Sequence, residues 1–218
     1  MSLREIFSPS LEEEVRQAFR RLAKEDGGEV SKRCGVVFLP PRPPQRKHGR
    51  YIVNLLTKTY SVELGSMEVV DLISGKPASR ELALIIVRYL GFSTSGRHSD
   101  DWVSYEKFPG ARPYLQLFDR SVLRPLARIF GYNPERYEVA CRRLGGKRER
   151  LGGMSYSFIF LPKIKVLTQV WRARKEDYTP PAANMSFNKS SRHYLSVRDL
   201  LLVGQYMVKI LESESKKA

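Results

Sequence analysis

The segment of the chain best suited to chemistry runs from Arg142 to Gly153 and reads RRLGGKRERLGG. Arg142, Arg143, Lys147, Arg148 and Arg150 stand there against a single acid, Glu149, a local sum of +4. Clustered guanidinium and ammonium groups are what recognition of a phosphate backbone requires, and glycines let main-chain N–H groups approach an anion closely. The plainer reading is that Gly145-Gly146 ends a helix, Gly152-Gly153 opens a strand and the arginines are solvated. A second basic group, Arg172, Arg174 and Lys175, follows a strand-like run, and a third, Arg42, Arg46, Lys47 and Arg50 with His48, sits in a proline-rich stretch. If these segments meet on one face, they predict a surface for nucleic acid or an acidic protein partner.

A competing reading assembles His98, Asp100, Asp101 and His193 around a pocket near Trp102 and Trp171, in an enzyme or small-ligand protein. Its signals are weak one by one. His48, His98 and His193 occupy separate segments without HxxxH or HExxH spacing, so no zinc site is expected. Gly91, Gly96, Arg97 and His98 imitate a phosphate-binding loop, but a helical pattern precedes them and the Lys and Ser/Thr of that motif are missing. Asp100 and Asp101, adjacent in a polar stretch, suit turn or capping roles. No GxSxG elbow occurs, and Cys34 and Cys141 have no histidine nearby in sequence; Cys141 lies among Val139, Ala140 and Leu144 as a buried thiol would. Tyr156, Phe158 and Phe160 alternate along a strand, faintly like a base-stacking RNA-binding strand, and fit a core strand better. No catalytic residue, metal or cofactor is expected, and the sequence reads as a non-catalytic binding or accessory protein.

The field behind this reading is uneven. The 218 residues hold 38 Lys plus Arg and 23 Asp plus Glu, net +15. Residues 1–109 contain 17 bases and 14 acids (+3), whereas residues 110–218 contain 21 and 9 (+12). Such a surplus attracts polyanions and raises solubility, although a generally basic surface would give the same total. Hydrophobic residues at 42% with 11% aromatics exclude a disordered chain. The longest aliphatic run, Leu82 to Val87, is six residues, far short of the roughly 20 that cross a bilayer. Neither a signal-peptide pattern nor a CxxC pair appears, which predicts a protein of the reducing cytoplasm.

The elements that must position these residues follow from patterning. Ser10 and Glu13 form a capping box ahead of a stripe of Leu11, Val15, Phe19 and Leu22, which predicts an N-terminal helix within residues 1–28, ending at Gly27-Gly28. Residues 35–40 read as a short buried strand and residues 51–64 as two strands or one bent one. Residues 80–90, apolar almost all round, predict a central buried helix. WVSYEKF is a strand candidate, and residues 113–131 a helix interrupted near Leu123 to Pro125. Asn133 and Pro134 start another helix that runs to Leu144. Residues 155–162, 163–171 and NMSFNKS are strands, and Ser196 with Asp199 begins a last helix before a polar tail, 212–218, expected to fray. Without a βαβ rhythm, the class is α+β: a single domain, 1–218, with a mostly antiparallel sheet packed against several helices.

Several of these patterns, in order, resemble a family of uncharacterised proteins from mainly anaerobic bacteria and archaea, number three-seven-eight-six of the domains of unknown function. They are Trp102-Val103-Ser104, Phe108-Pro109-Gly110, Phe118, LARIFG at Leu126 to Gly131, Gly145-Gly146, Ser157-Phe158, Leu161-Pro162, Trp171, PPAANMSFNKSSRHYL and SVRDLLLVGQYM. The resemblance covers about residues 30–211. It implies acids after the tryptophan, after the glycine pair before the sheet and after the phenylalanine of the late strand. Here those places hold Arg172 and Arg174, Met154 and Asn188. The resemblance implies a fold unit, not a reaction.

Overall fold

The computed structural model describes residues 10–44, 47–94, 96, 99–173 and 178–217. Its class is α+β, with helices and two antiparallel sheets of four and five strands. The chain divides into two compact units. The first holds the residues up to Gly96 with Leu161–Lys163 and His193–Leu195; the second holds the rest.

In the first unit, α1 (Leu11–Leu22) starts where the Ser10 hydroxyl accepts from the Glu13 N–H, and it buries Val15, Ala18, Phe19 and Leu22. Gly27-Gly28 does not stop this helix. It has already ended at Leu22, and the glycines open α2 (Gly27–Cys34), because the Asp26 carboxylate accepts from Glu29 N–H at 2.8 Å and caps the new N-terminus. Gly35, at φ 66°, closes α2 in the left-handed conformation.

The four-stranded sheet follows, β1 (Val37–Leu39), β2 (Arg50–Leu55), β3 (Lys58–Glu63) and β4 (Glu68–Asp71), in that spatial order. The two-strand alternative for residues 51–64 is the observed one. β1, expected to be buried, is an edge strand with Val37 exposed, since only β2 pairs with it. The apolar helix is α3 (Arg80–Phe92), capped by Ser79 and packed on α1. Between them Arg88 and Glu14 form a buried ion pair at 2.5 Å. The Tyr89 hydroxyl donates to the Cys34 carbonyl at 2.5 Å and accepts from the Lys163 N–H at 3.2 Å, and burial pushes its phenol pKa upward.

The second unit begins with β5 (Trp102–Ser104). A helical run follows, made of α4 (Leu115–Phe118), a π turn (Asp119–Leu123) and α5 (Arg124–Phe130). Here the expected interruption takes its actual form. Pro125 has no N–H to offer, and in the turn before it the Arg124 N–H reaches back five residues to the Asp119 carbonyl. Then come α6 (Pro134–Arg143), β6 (Lys147–Glu149), β7 (Met154–Leu161), β8 (Ile164–Trp171), β9 (Ala182–Asn188) and α7 (Val197–Lys216).

The five strands lie in the order β5-β9-β8-β7-β6. Tyr156, Phe158 and Phe160 are buried toward the helices: Tyr156 meets Tyr137 edge-on at 5.6 Å and Phe160 meets Tyr206 at 6.0 Å. They are core, so the base-stacking reading of this strand fails. α7 carries the capping box of Ser196 and Asp199 and stays helical to Lys216, through most of the tail expected to fray. No helix among the described residues is long and apolar enough to cross a membrane.

Candidate functional site

The basic segment RRLGGKRERLGG is the turn from α6 into the edge strand β6 and on toward β7. Asn133 caps α6 by accepting from the Arg136 N–H at 3.2 Å, which sets the helix so that Glu138 and Arg142 stand one turn apart and pair at 2.6 Å. Gly145, at φ 73°, reverses the chain. Arg148 then approaches the same Glu138 oxygen at 3.6 Å. Two guanidinium groups from different elements therefore share one carboxylate.

Arg143 has another task. It donates to the Glu214 carbonyl at 2.8 Å and to that of Lys217, so it satisfies the C-terminal end of α7. Lys147 and Arg150 are exposed and have no ion-pair partner among the described residues.

The end of β8, just ahead of Arg172, meets this segment through the loop Arg150–Gly153. Gln169 donates to the Leu151 carbonyl at 2.7 Å, and the Gly152-Gly153 backbone lies on the Trp171 indole. The fit admits only glycine: Gly153 has φ +58°, and an added Cβ would sit 3.1 Å from the ring and 2.8 Å from the Val170 carbonyl oxygen. Arg150 and Arg172 are thus brought to one end of the sheet. The Ala173 N–H donates to the Gly131 carbonyl at 3.0 Å, which places Tyr132 at that end too. Trp171 and Tyr132 are both exposed, the latter at 69%. Arg172 is exposed and unpaired among the described residues; Arg174 and Lys175 lie outside them. Of the third group, Arg50 pairs with Glu63 at 3.3 Å in the first unit, and Arg46 lies outside the described residues.

The alternative pocket does not assemble around the two tryptophans. Trp102 pairs with Asn188 and Trp171 with Ala182, at opposite ends of β9. At about 3.3 Å per residue they stand roughly 20 Å apart along the strand, too far to line one small-molecule pocket. Asp100 pairs with Lys165 at 2.7 Å, and Asp101 accepts from the Ser99 hydroxyl at 2.8 Å as a turn residue does. His193 belongs to the first unit, where its carbonyl accepts from the Thr94 N–H at 2.6 Å, and His98 lies outside the described residues. No group of three or more His, Cys, Asp or Glu residues able to hold a metal occurs among the described residues. Cys34 and Cys141 are free and buried, and burial raises the pKa of both thiols.

Asn188, which stands where the family resemblance implied an acid, is fully buried. Its Oδ1 accepts from the Lys165 N–H at 2.8 Å and from Ser191, and its Nδ2 donates to Ser190 at 2.9 Å. This amide locks the β8–β9 end of the sheet, a role its donor and acceptor pair suits.

Sequence reasoning missed a pocket of about 400 Å3 in the second unit, lined by residues that include Glu106, Asp119 and Asn184. These three share no spacing motif, so only their convergence in the fold reveals them.

A family model described as "Domain of unknown function (DUF3786)" matches residues 26–210. No curated protein and no solved structure matches the chain.

Proposed function

The chain belongs to this DUF3786 family, whose description names no reaction, and from the chain's own residues we propose a cytoplasmic, non-catalytic protein that binds single-stranded nucleic acid. The observation that carries the reading is the Arg150–Gly153 loop seated on Trp171, which gathers Arg150 and Arg172 beside two exposed aromatic rings. Unpaired cations engage phosphates, and an exposed indole or phenol offers a base a stacking partner without demanding a sequence. Lys147, on the neighbouring edge strand, extends the positive track.

The test is the affinity for a single-stranded oligonucleotide as salt rises. For single strands each phosphate contact contributes about −0.7 to the log–log slope, so Lys147→Gln, Arg150→Gln and Arg172→Gln together should flatten it by about 2. Trp171→Ala should weaken binding by about 1–3 kcal/mol per stacked base. Absence of binding at low salt rejects the proposal, and tight binding of polyglutamate in its place would redirect it to an acidic protein partner.

A further inference from the structure

The pocket in the second unit has no part in that reading, and its position has a structural cause. β5 stops at Ser104, opposite Ser186, so among the described residues β9 from Ala182 to Met185 has no strand neighbour on that side. The α4–π–α5 run packs on β9 and leaves a concavity of about 400 Å3, within the size range of small-molecule sites.

Its walls differ in chemistry. Phe118 and Met185 are buried, and Leu123 completes an apolar side. Phe118 is fixed by face-to-face stacking on Tyr105, centroids 3.9 Å apart and planes at 1°, and the Tyr105 hydroxyl is anchored on the Val197 carbonyl at 2.9 Å. The lining also includes the polar residues Ser104, Glu106, Asp119 and Asn184. Arg124 pairs with Asp119 at 2.6 Å but does not line the pocket. Glu106 has no partner among the described residues, and no Lys or Arg is in the lining. The Nδ2 of Asn184 donates to its cross-strand neighbour Gln169 at 3.1 Å.

We propose that this pocket binds a small organic cation, an ammonium group joined to an apolar body. The carboxylates of Glu106 and Asp119 in the lining offer acceptors to an ammonium group, and Phe118, Leu115, Leu123 and Met185 offer apolar surface to the body. A bare metal ion would leave the apolar residues without a role, and an anion would meet the Glu106 carboxylate, for which the lining holds no cation.

The probes are phenethylammonium and, as a matched anion, 3-phenylpropionate, titrated into the full chain and followed by amide NMR shifts. Phenethylammonium should saturate shifts around residues 104–106, 118–123 and 184–185 with Kd below about 1 mM. Glu106→Gln should raise that Kd about tenfold, and Glu106→Lys, a change at an exposed position that leaves the core intact, should abolish binding. Equal binding of 3-phenylpropionate, indifference to both Glu106 variants, or no response up to about 10 mM phenethylammonium each overturns the proposal. None of these residues belongs to the nucleic-acid surface, so either proposal can fail alone.

Discussion

Four ion pairs of the first unit and one turn of the second hold positive charge differently. In the first, Arg88, Arg33, Arg50 and Lys58 each face a carboxylate, of Glu14, Glu25, Glu63 and Asp71 respectively. Around the α6–β6 turn of the second, Arg142 and Arg148 divide one acid, and Lys147, Arg150 and Arg172 have none among the described residues. Similar residue types thus serve two ends: paired and partly buried they hold elements in register, unpaired and exposed they project a field.

Removing acids is the most direct way to break the comparison. Glu14→Ala strands a largely buried guanidinium and should cost about 3–5 kcal/mol in urea unfolding. Asp71 comes next. The Lys58 ammonium at 2.7 Å and the backbone N–H groups of Ser74 and Ile73 lower its pKa from 3.8 to about 2. A depressed folded-state pKa means that stability is fully present above about pH 4 and lost as pH falls toward 2. Asp71→Asn should therefore cost about 2 kcal/mol near neutrality and remove that part of the acid limb.

Glu138→Ala is the counterpart in the second unit. Its partners are solvated arginines, so it should cost no more than about 1 kcal/mol while strengthening oligonucleotide binding, measured by anisotropy. A large loss of stability there would erase the distinction between the units. The smallest effects belong to Tyr51→Phe and Tyr156→Phe, one in each unit. Both hydroxyls are buried without a hydrogen-bond partner among the described residues, so thermal unfolding should shift by less than the equivalent of about 0.5 kcal/mol, or upward.

Helix starts were the most legible part of the sequence, because a cap is a local device: Ser10, Asn133 and Ser196 all begin helices. α2 escaped notice because two glycines read as a stop. They are tolerated because Asp26 caps the helix and Val30 and Cys34 are buried beyond it, and burial is set by the tertiary fold. β4 was missed as well, being four residues long and entered through Met67 at φ 57°.

At the candidate site, composition announced the cations but not their meeting, which depends on the Gly153–Trp171 contact between neighbouring strands. Trp102 and Trp171 looked like companions in sequence until the β9 register separated them. The pocket was invisible for the complementary reason: Glu106, Asp119 and Asn184 sit on three segments whose convergence depends on where β5 stops.

β6 has a consequence of its own. It is a three-residue strand at the open margin of a five-stranded sheet, where unsatisfied main-chain groups could template pairing with a second copy of the chain. Two exposed cations, Lys147 and Arg148, make such edge-to-edge approach repulsive. The charges proposed to hold a polyanion thus also oppose edge-to-edge pairing, and a variant stripped of them should gain stickiness toward itself.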